Sequence, residues 1–257
     1  MSRFFFYPSL QEGLTVSLTI EESRHLRANR TVPGSTIQLG DGQGNLFSGI
    51  FIGFYNQHAQ IEIQQKVLTV QVSHQIWVWQ PLLKNESRME WVLEKLSEIG
   101  VSGIGFFPTE RTVKERLSPL RRERWRKIAA EACKQSGRLI FPDLIFCQSW
   151  DYFLSRLVQT DVEKVVGDAG SSKTLWSFLT DKMSCFDMHL IVGPEGDFSE
   201  KEKSHLHSLP QVSFLNFSHQ ILRSETASLF GAIVCAAWQE YCVENSHQNL
   251  GMQGESS

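Results

Sequence analysis

Cysteine is scarce: five residues among 257, with no Cys-x-x-Cys spacing, give neither a disulfide framework nor a zinc-finger pattern. Most of Cys133, Cys147, Cys185, Cys235 and Cys242 are expected to serve as small buried hydrophobes. No apolar run nears the roughly 18 residues needed to cross a bilayer. The best of them, Gly231 to Trp238, is far too short, so no membrane partner is expected. The amino-terminal MSRFFFYPSL breaks its aromatic run with Pro8 and lacks a secretory core followed by small residues, which makes a cytoplasmic protein the expectation. Neither a P-loop nor a Gly-x-Gly-x-x-Gly occurs, which removes the standard nucleotide motifs. Internal repeats and low-complexity tracts are absent too. What remains, 41% apolar and 21% charged, is a globular chain long enough for one large domain or two unequal ones.

The net charge of -3 hides an asymmetry. Residues 1–73 hold five basic and five acidic residues, residues 74–140 thirteen and eight, and residues 141–257 seven and fifteen. A polyanion would therefore meet the middle third, because Lys and Arg neutralising phosphates supply most sequence-independent affinity for nucleic acid. The densest stretch is RRERWRK, Arg121 to Lys127, and a smaller cluster holds Arg24, His25, Arg27 and Arg30. For each, a solvated helix face is the plainer alternative.

Periodicity divides the chain near residues 70–75. Before that point, VPGSTIQLGDGQGNLFSGIFIGF carries Pro33-Gly34 and Asp41-Gly42 between apolar runs, which is hairpin chemistry, and IEIQQKVLTVQV adds a strand pair or one long strand. Only EESRHLRANR reads as helix, and a small β-barrel or sandwich over residues 1–73 fits. Beyond it, IWVWQPLL, VSGIGFFP, VEKVVGD and MHLIVGP alternate with helical segments such as ESRMEWVLEKLSEIG and SPLRRERWRKIAAEACKQSG. That alternation predicts an α/β domain over 74–245 with a mostly parallel sheet. The polar stretch 246–257 reads as a disordered tail.

Two segments carry chemistry. In LIVGPEGDFSEKE an apolar strand enters a loop with Gly193, Pro194 and Gly196, then meets Ser199-x-x-Glu202, a capping box that starts a helix. Such a loop at a strand's carboxyl end is either a ligand loop or a tight strand-to-helix turn. In FSHQILRSETASLFGAIVCAAW, Ser224 is a natural N-cap, Glu225 sits in the first turn, and Ala227 to Trp238 reads as a buried apolar helix with Arg223 just before it.

VGPEGDFSEKE together with ILRSETA resembles the signature of the RsmE family, SPOUT-class methyltransferases that methylate N3 of a uridine in 16S ribosomal RNA. SRHLRANRTVPGSTIQLGDGQG, PLLKNESRMEWVLEKLSEIGVSGIGFFPTERTV and RWRKIAAEACKQSGR resemble further family segments in the same order. The resemblance implies an amino-terminal PUA-like β-barrel for RNA docking and a SPOUT parallel sheet with a carboxyl-terminal trefoil knot. It also implies S-adenosylmethionine (AdoMet) as donor, S-adenosyl-L-homocysteine as product, a homodimer, the small ribosomal subunit as partner, and no metal. Carried over, the cofactor loops are Gly193, Pro194, Glu195 and Gly196, then Phe217, Ser218, Ile221 and Leu222. Arg223 is the candidate for binding and polarising the uracil carbonyl or a phosphate, and Glu195 or Glu225 the candidate proton acceptor. Arg24, Arg27, Arg30, Arg111, Arg121, Arg122, Arg124 and Arg138 are the candidate RNA contacts. The chain departs from the family at Gly196-Asp197, where Gly-Gly is usual, and at Phe217-Ser218-His219-Gln220, where Leu-Gly-x-Arg is usual. On those departures rests an alternative: an RNA-binding ribosome-assembly protein of the same fold with weak or lost catalysis.

Overall fold

The computed structural model describes residues 4–111, 117–182 and 184–253. It contains two compact units, residues 1–72 with 129–141, and residues 73–128 with 142–257. The division near residue 72 falls where the periodicity changes. The return of 129–141 to the smaller unit had no signal in composition, since that stretch begins inside a continuous helix.

The smaller unit is built from β1 (Phe5–Phe6), β2 (Thr15–Ser17), α1 (Ile20–Ala28), β3 (Thr36–Gly40), β4 (Asn45–Tyr55) and β5 (His58–Thr69). The strands form one curled sheet in the order β1-β3-β4-β5-β2, antiparallel except for β1 on β3. With β1 and β2 at its two ends, it is a half-barrel rather than a closed barrel. Leu18, Leu26, Leu39, Phe51, Ile61 and Ile63 fill its concave side. Asp41 ties the β3–β4 turn by accepting from the Gln43 and Asn45 backbone N–H groups at 2.8 and 3.1 Å. Pro33-Gly34 is no hairpin; it leads from α1 into β3. The two-residue hairpin instead lies at Asn56-Gln57, both at positive φ, the geometry of a type I′ turn.

The larger unit follows as β6 (Ile76–Pro81), α2 (Glu86–Ile99), β7 (Gly103–Phe107), α3 (Pro119–Ser136), β8 (Asp143–Phe146), α4 (Trp150–Val158), β9 (Glu163–Gly167), α5 (Leu175–Lys182), β10 (Met188–Ile191), α6 (Glu200–His207), β11 (Val212–Leu215) and α7 (Ser224–Gln253). Its six strands are all parallel, in the order β11-β9-β10-β6-β7-β8. β6 can carry Trp77 and Trp79 side by side because β7 presents Gly103 and Gly105 next to them; a Cβ on Gly105 would lie 2.1 Å from the Trp79 ring. Parallel strands expose their carboxyl ends along one edge, where α/β proteins place ligands. β9, β10 and β11 end there in the segments 167–170, 192–197 and 216–223.

Two expectations need correction. α7 runs to Gln253, so helix continues into the stretch read as a disordered tail, and residues 254–257 lie outside the described residues. The helix from Ala227 to Trp238 is also not buried all round. Ala232 and Cys235 are fully enclosed, while Phe230 and Ile233 are 39% and 48% exposed.

Candidate functional site

β10 delivers Val192 and Gly193 to the edge of the sheet, and the chain turns through Pro194 to Asp197 before Ser199 caps α6. The capping box is complete: the Ser199 hydroxyl accepts from the Glu202 N–H, and the Glu202 carboxylate accepts from the Ser199 N–H at 2.8 Å. The other Glu202 oxygen accepts from the Glu110 N–H, also at 2.8 Å, which fastens the Thr109-Glu110-Arg111 segment to the same turn. Arg111 then donates through Nη1 to the Gly196 carbonyl oxygen.

Asp197 occupies the left-handed region at φ 60°. Glycine is the usual occupant of such a position, and Asp is among the few residues that tolerate it. Here the carboxylate contributes twice, accepting from the Phe198 N–H at 2.7 Å and pairing with Lys203 Nζ at 2.7 Å. The Asp197 hydrogen bond leads the interactions that raise the Lys203 pKa. The departure at Gly196-Asp197 is therefore accommodated within the turn.

The second turn follows β11. Ser218 donates its N–H to Asn216 Oδ1 and accepts from the Gln220 N–H at its hydroxyl, so the unusual Ser-His-Gln stretch makes its own compact bend. Phe217 lies between two glycines: a Cβ on Gly231 would stand 2.9 Å from its ring and one on Gly167 3.3 Å.

The two turns are joined directly. Ser224 Oγ donates to the Gly193 carbonyl at 2.7 Å and accepts from Gln80 Nε2 at 3.0 Å, while Gln80 Oε1 accepts from Ser228 Oγ. Gln80 and Ser228 are fully buried and Ser224 is 4% exposed, so a polar cluster in the core fixes one loop against the other. The Ser224 hydroxyl is thus committed to the other loop instead of its helix's own N–H groups, a correction to its reading as an N-cap.

Between the turns lies a cavity of about 630 Å³. Gly193, Pro194 and Glu195 line it from the first turn, and Phe217, Ser218, Ile221, Leu222 and Arg223 from the second. Gly196 does not; it faces Arg111. Gln220 stands on the lining but His219 does not, and the cavity stays open. Gly167, Asp168, Ala169 and Gly170 form a third wall that no sequence motif had singled out, although Val-Val-Gly-Asp-Ala-Gly repeats the strand-then-glycine grammar of the first turn.

The two carboxylates singled out as proton acceptors meet one cation. Arg88, from the first turn of α2, places Nη1 2.8 Å from Glu195 Oε1 and Nε 3.5 Å from Glu225 Oε1. Glu195 is half exposed on the cavity wall, whereas the Glu225 side chain is 9% exposed and its Oε2 has no hydrogen-bond partner among the described residues. No local pattern marks Arg88, since its partners lie more than a hundred residues away.

The candidate RNA contacts divide by what they already hold. Arg24, Arg27 and Arg30 are exposed on and just after α1, with the Arg27 guanidinium 4.3 Å from the Phe54 ring centroid. In the basic helix, Arg121 pairs with Glu86 at 2.9 Å and Arg124 with Glu90 at 2.8 Å, while Arg122 lies over the Phe146 ring. Arg138 is half-buried, and burial lowers its pKa.

Strand-end loops of this kind on an all-parallel sheet define a ligand-binding α/β protein, and comparison with known proteins narrows the class. The family described as RNA methyltransferase domain matches residues 71–236, and the chain belongs to it, within the RsmE group. Ribosomal RNA small subunit methyltransferase E of Bacillus subtilis is 27% identical over 254 residues, covering 90% of this chain and 94% of that protein. The crystal structure of the Neisseria gonorrhoeae protein of that name, bound to S-adenosyl methionine, superposes with a TM-score of 0.77 at 27% identity, over 94% of this chain and 98% of that one. A methyltransferase from Legionella pneumophila, solved in complex with the same cofactor, gives a TM-score of 0.78 at 26% identity, over 92% and 98%.

Proposed function

We propose that this chain transfers a methyl group from AdoMet to N3 of a uridine in 16S ribosomal RNA of the small subunit, and that it works in the cytoplasm as a homodimer. The observation that carries the reading is the cavity of about 630 Å³ enclosed by three strand-end loops and held in shape by the Ser224–Gly193 bond. The lining suits AdoMet: glycine backbone at 167, 170 and 193 allows close approach, Val192, Phe217 and Leu222 offer apolar surface, and Asp168 a carboxylate. Bound there, AdoMet supplies a methyl group on a positively charged sulfur and leaves as S-adenosyl-L-homocysteine.

The protein's own part is positioning and proton handling. Uridine N3 lies on the Watson–Crick edge, so the base must be unpaired before it can enter, and unpairing is least costly where the base is already loosely held. Arg223, exposed on the cavity wall, binds the uracil carbonyl or an adjoining phosphate and stabilises negative charge as the N3 proton leaves. Glu195 accepts that proton, being the one of the two candidate carboxylates that lines the cavity. Glu225, enclosed below, anchors Arg88, which in turn orients Glu195. A binding-only assembly protein would have its second loop collapsed, and the open cavity favours the enzyme.

RNA docking is assigned to Arg24, Arg27 and Arg30 in the smaller unit, which are exposed. Arg121, Arg122, Arg124, Arg111 and Arg138 take secondary parts because each is already engaged or half-buried. Replacing Arg24 and Arg30 with Gln lowers affinity for all RNA sequences, and the salt slope falls by about 1 for each phosphate no longer neutralised. The homodimer is supported by the uncovered side of α7, where Phe230, Ile233 and Tyr241 are 39%, 48% and 58% exposed on one apolar helix; light scattering gives its mass.

The deciding experiment incubates the protein with AdoMet and small subunits, or naked 16S RNA, lacking the modification, and digests the RNA for mass spectrometry. Formation of 3-methyluridine in wild type and its loss in Arg223→Ala single-turnover reactions are expected. A different methylated nucleoside, or none on either substrate, overturns the reading.

A further inference from the structure

At the opposite end of the same sheet, a second hollow of about 210 Å³ lies where β6 and β10 begin. Its lining combines aromatic and apolar residues, Trp77, Trp79, Ile145 and Met188, with the polar Gln75, Arg156, Thr160, Asp187 and His189. The two indoles lie nearly parallel, 24° apart with centroids 6.0 Å apart, and His189 flanks both at about 6 Å.

Two of these polar groups are short of partners. His189 is 6% exposed, and its Nδ1 has no hydrogen-bond partner among the described residues. The buried Nε of Arg156 also lacks one, and no carboxylate stands within 4.0 Å of the Arg156 guanidinium among the described residues. Behind the wall, Lys164 is fully enclosed, and its ammonium donates to the Thr160 and Val162 carbonyls, at 3.0 and 2.9 Å. The acids nearest to it in the chain are held elsewhere: Asp161 by Gln211 and Glu163 by Lys182. Asp187, the one carboxylate on the lining, accepts from the Gln75 N–H at 2.8 Å and stands 3.6 Å from His74. Arg156 thus lines the hollow with no carboxylate paired to it among the described residues, while Lys164, off the lining, still feels the charges of Asp161 and Glu163; an anion in the hollow would offset the desolvation of the Arg156 guanidinium. Burial, together with the charges of Lys164 and Arg156, pushes the His189 pKa down to about 4, so the ring is neutral at pH 7 and able to donate one N–H.

Size and lining then select the anion. A cavity of about 150 Å³ accommodates a benzene ring, so this hollow has room for one ring and a small substituent. A guanidinium fork takes a carboxylate in two parallel hydrogen bonds, and the tryptophans favour a flat ring over an alkyl chain. We propose that this hollow is a binding site for a small planar aromatic carboxylate, with its ring against Trp77 and Trp79 and its carboxylate on Arg156 and His189.

Benzoate is the probe, titrated into the full-length, AdoMet-loaded protein labelled with ¹⁵N, with acetate and benzyl alcohol as separate arms. The expected result is a saturable shift of the Trp77 indole N–H and the His189 ring signals with benzoate, and much weaker shifts with the carboxylate or the ring alone. Arg156→Gln should raise the benzoate Kd by about tenfold, the scale of one lost charge-assisted hydrogen bond, with AdoMet affinity unchanged. His189→Gln serves as a second variant should the first not fold, and is expected to weaken benzoate in the same sense. Equal responses to acetate and benzoate would reduce the site to an adventitious ion only. Undiminished benzoate binding in both variants would equally overturn the proposal. Neither result bears on the cofactor cavity, whose test is AdoMet binding itself.

Discussion

Removing one hydroxyl should separate the two halves of the cofactor cavity. Ser224→Ala deletes the donor to the Gly193 carbonyl and the acceptor for Gln80 Nε2, both buried. Gln80 Nε2 keeps its bond to the Pro81 carbonyl at 3.1 Å, so the group left without a partner is the Gly193 oxygen. Two net hydrogen bonds at about 1 kcal/mol each give a destabilisation of about 2 kcal/mol. For a unit of this size that corresponds to a fall in midpoint of about 6 °C. The assay can be confined to the right part of the molecule, because all seven tryptophans lie in the larger unit and their fluorescence follows its unfolding alone. AdoMet affinity, read by calorimetry, should fall as well, since the first loop is no longer held at a fixed distance from the second. An unchanged midpoint together with an unchanged affinity would refute the idea that this hydroxyl holds the cavity in shape.

Arg88→Met should leave Glu225 enclosed without its cation. A double-mutant cycle with Glu225→Gln should then return a coupling of about 1–2 kcal/mol in stability, and single-turnover methylation should slow more than AdoMet binding weakens; a coupling of zero removes Arg88 from the site's framework. The acid limb of stability should carry a His189 signature. Its folded pKa of about 4 lies below the ordinary 6.5, so between those values the unfolded chain binds the extra proton and stability falls as pH falls. The contribution, about 3 kcal/mol by pH 4, is read as the difference in denaturation midpoints between wild type and His189→Gln at pH 7 and pH 4, and parallel profiles would contradict it.

The parts of the fold legible in the sequence are those encoded by neighbours in the chain. Strand and helix alternation after residue 75, the Ser199–Glu202 capping box and the two loops around Gly193 and Arg223 all have local signatures, and all are found together in the structure. Arg88 has none, because what ties it to the cavity wall is a meeting with Glu195 and Glu225 across the fold. The hairpin at Asn56-Gln57 contains no glycine, so its turn is invisible to a search that weights glycine, whereas Pro33-Gly34 advertises a hairpin and makes none. The run Arg121 to Lys127 reads as either a phosphate-binding stripe or a solvated helix face, and Glu86 and Glu90 of the preceding helix take two of its arginines. α7 misleads for a different reason. A helix apolar on every side reads as core, and a sequence alone does not say which of its faces the rest of the chain covers.

Asp197 tests whether the departure in the first loop is a defect or a substitution with its own support. At φ 60° an L-residue carries a backbone cost of about 1 kcal/mol that glycine does not. Against it stand the bond from the Phe198 N–H and the pair with Lys203, the latter modest because the Asp197 side chain is 63% exposed. Asp197→Gly relieves the strain and removes both interactions, so its stability should lie within about 1 kcal/mol of wild type. Asp197→Ala keeps the strain and removes the same two interactions, so it should be less stable than the glycine variant by about 1 kcal/mol. The order wild type and glycine together, alanine below, is what separates the two accounts in a denaturant titration. Were alanine to equal glycine, the left-handed turn would not be what the family's usual second glycine serves, and the loop would owe its course to the Arg111 hydrogen bond with the Gly196 carbonyl instead.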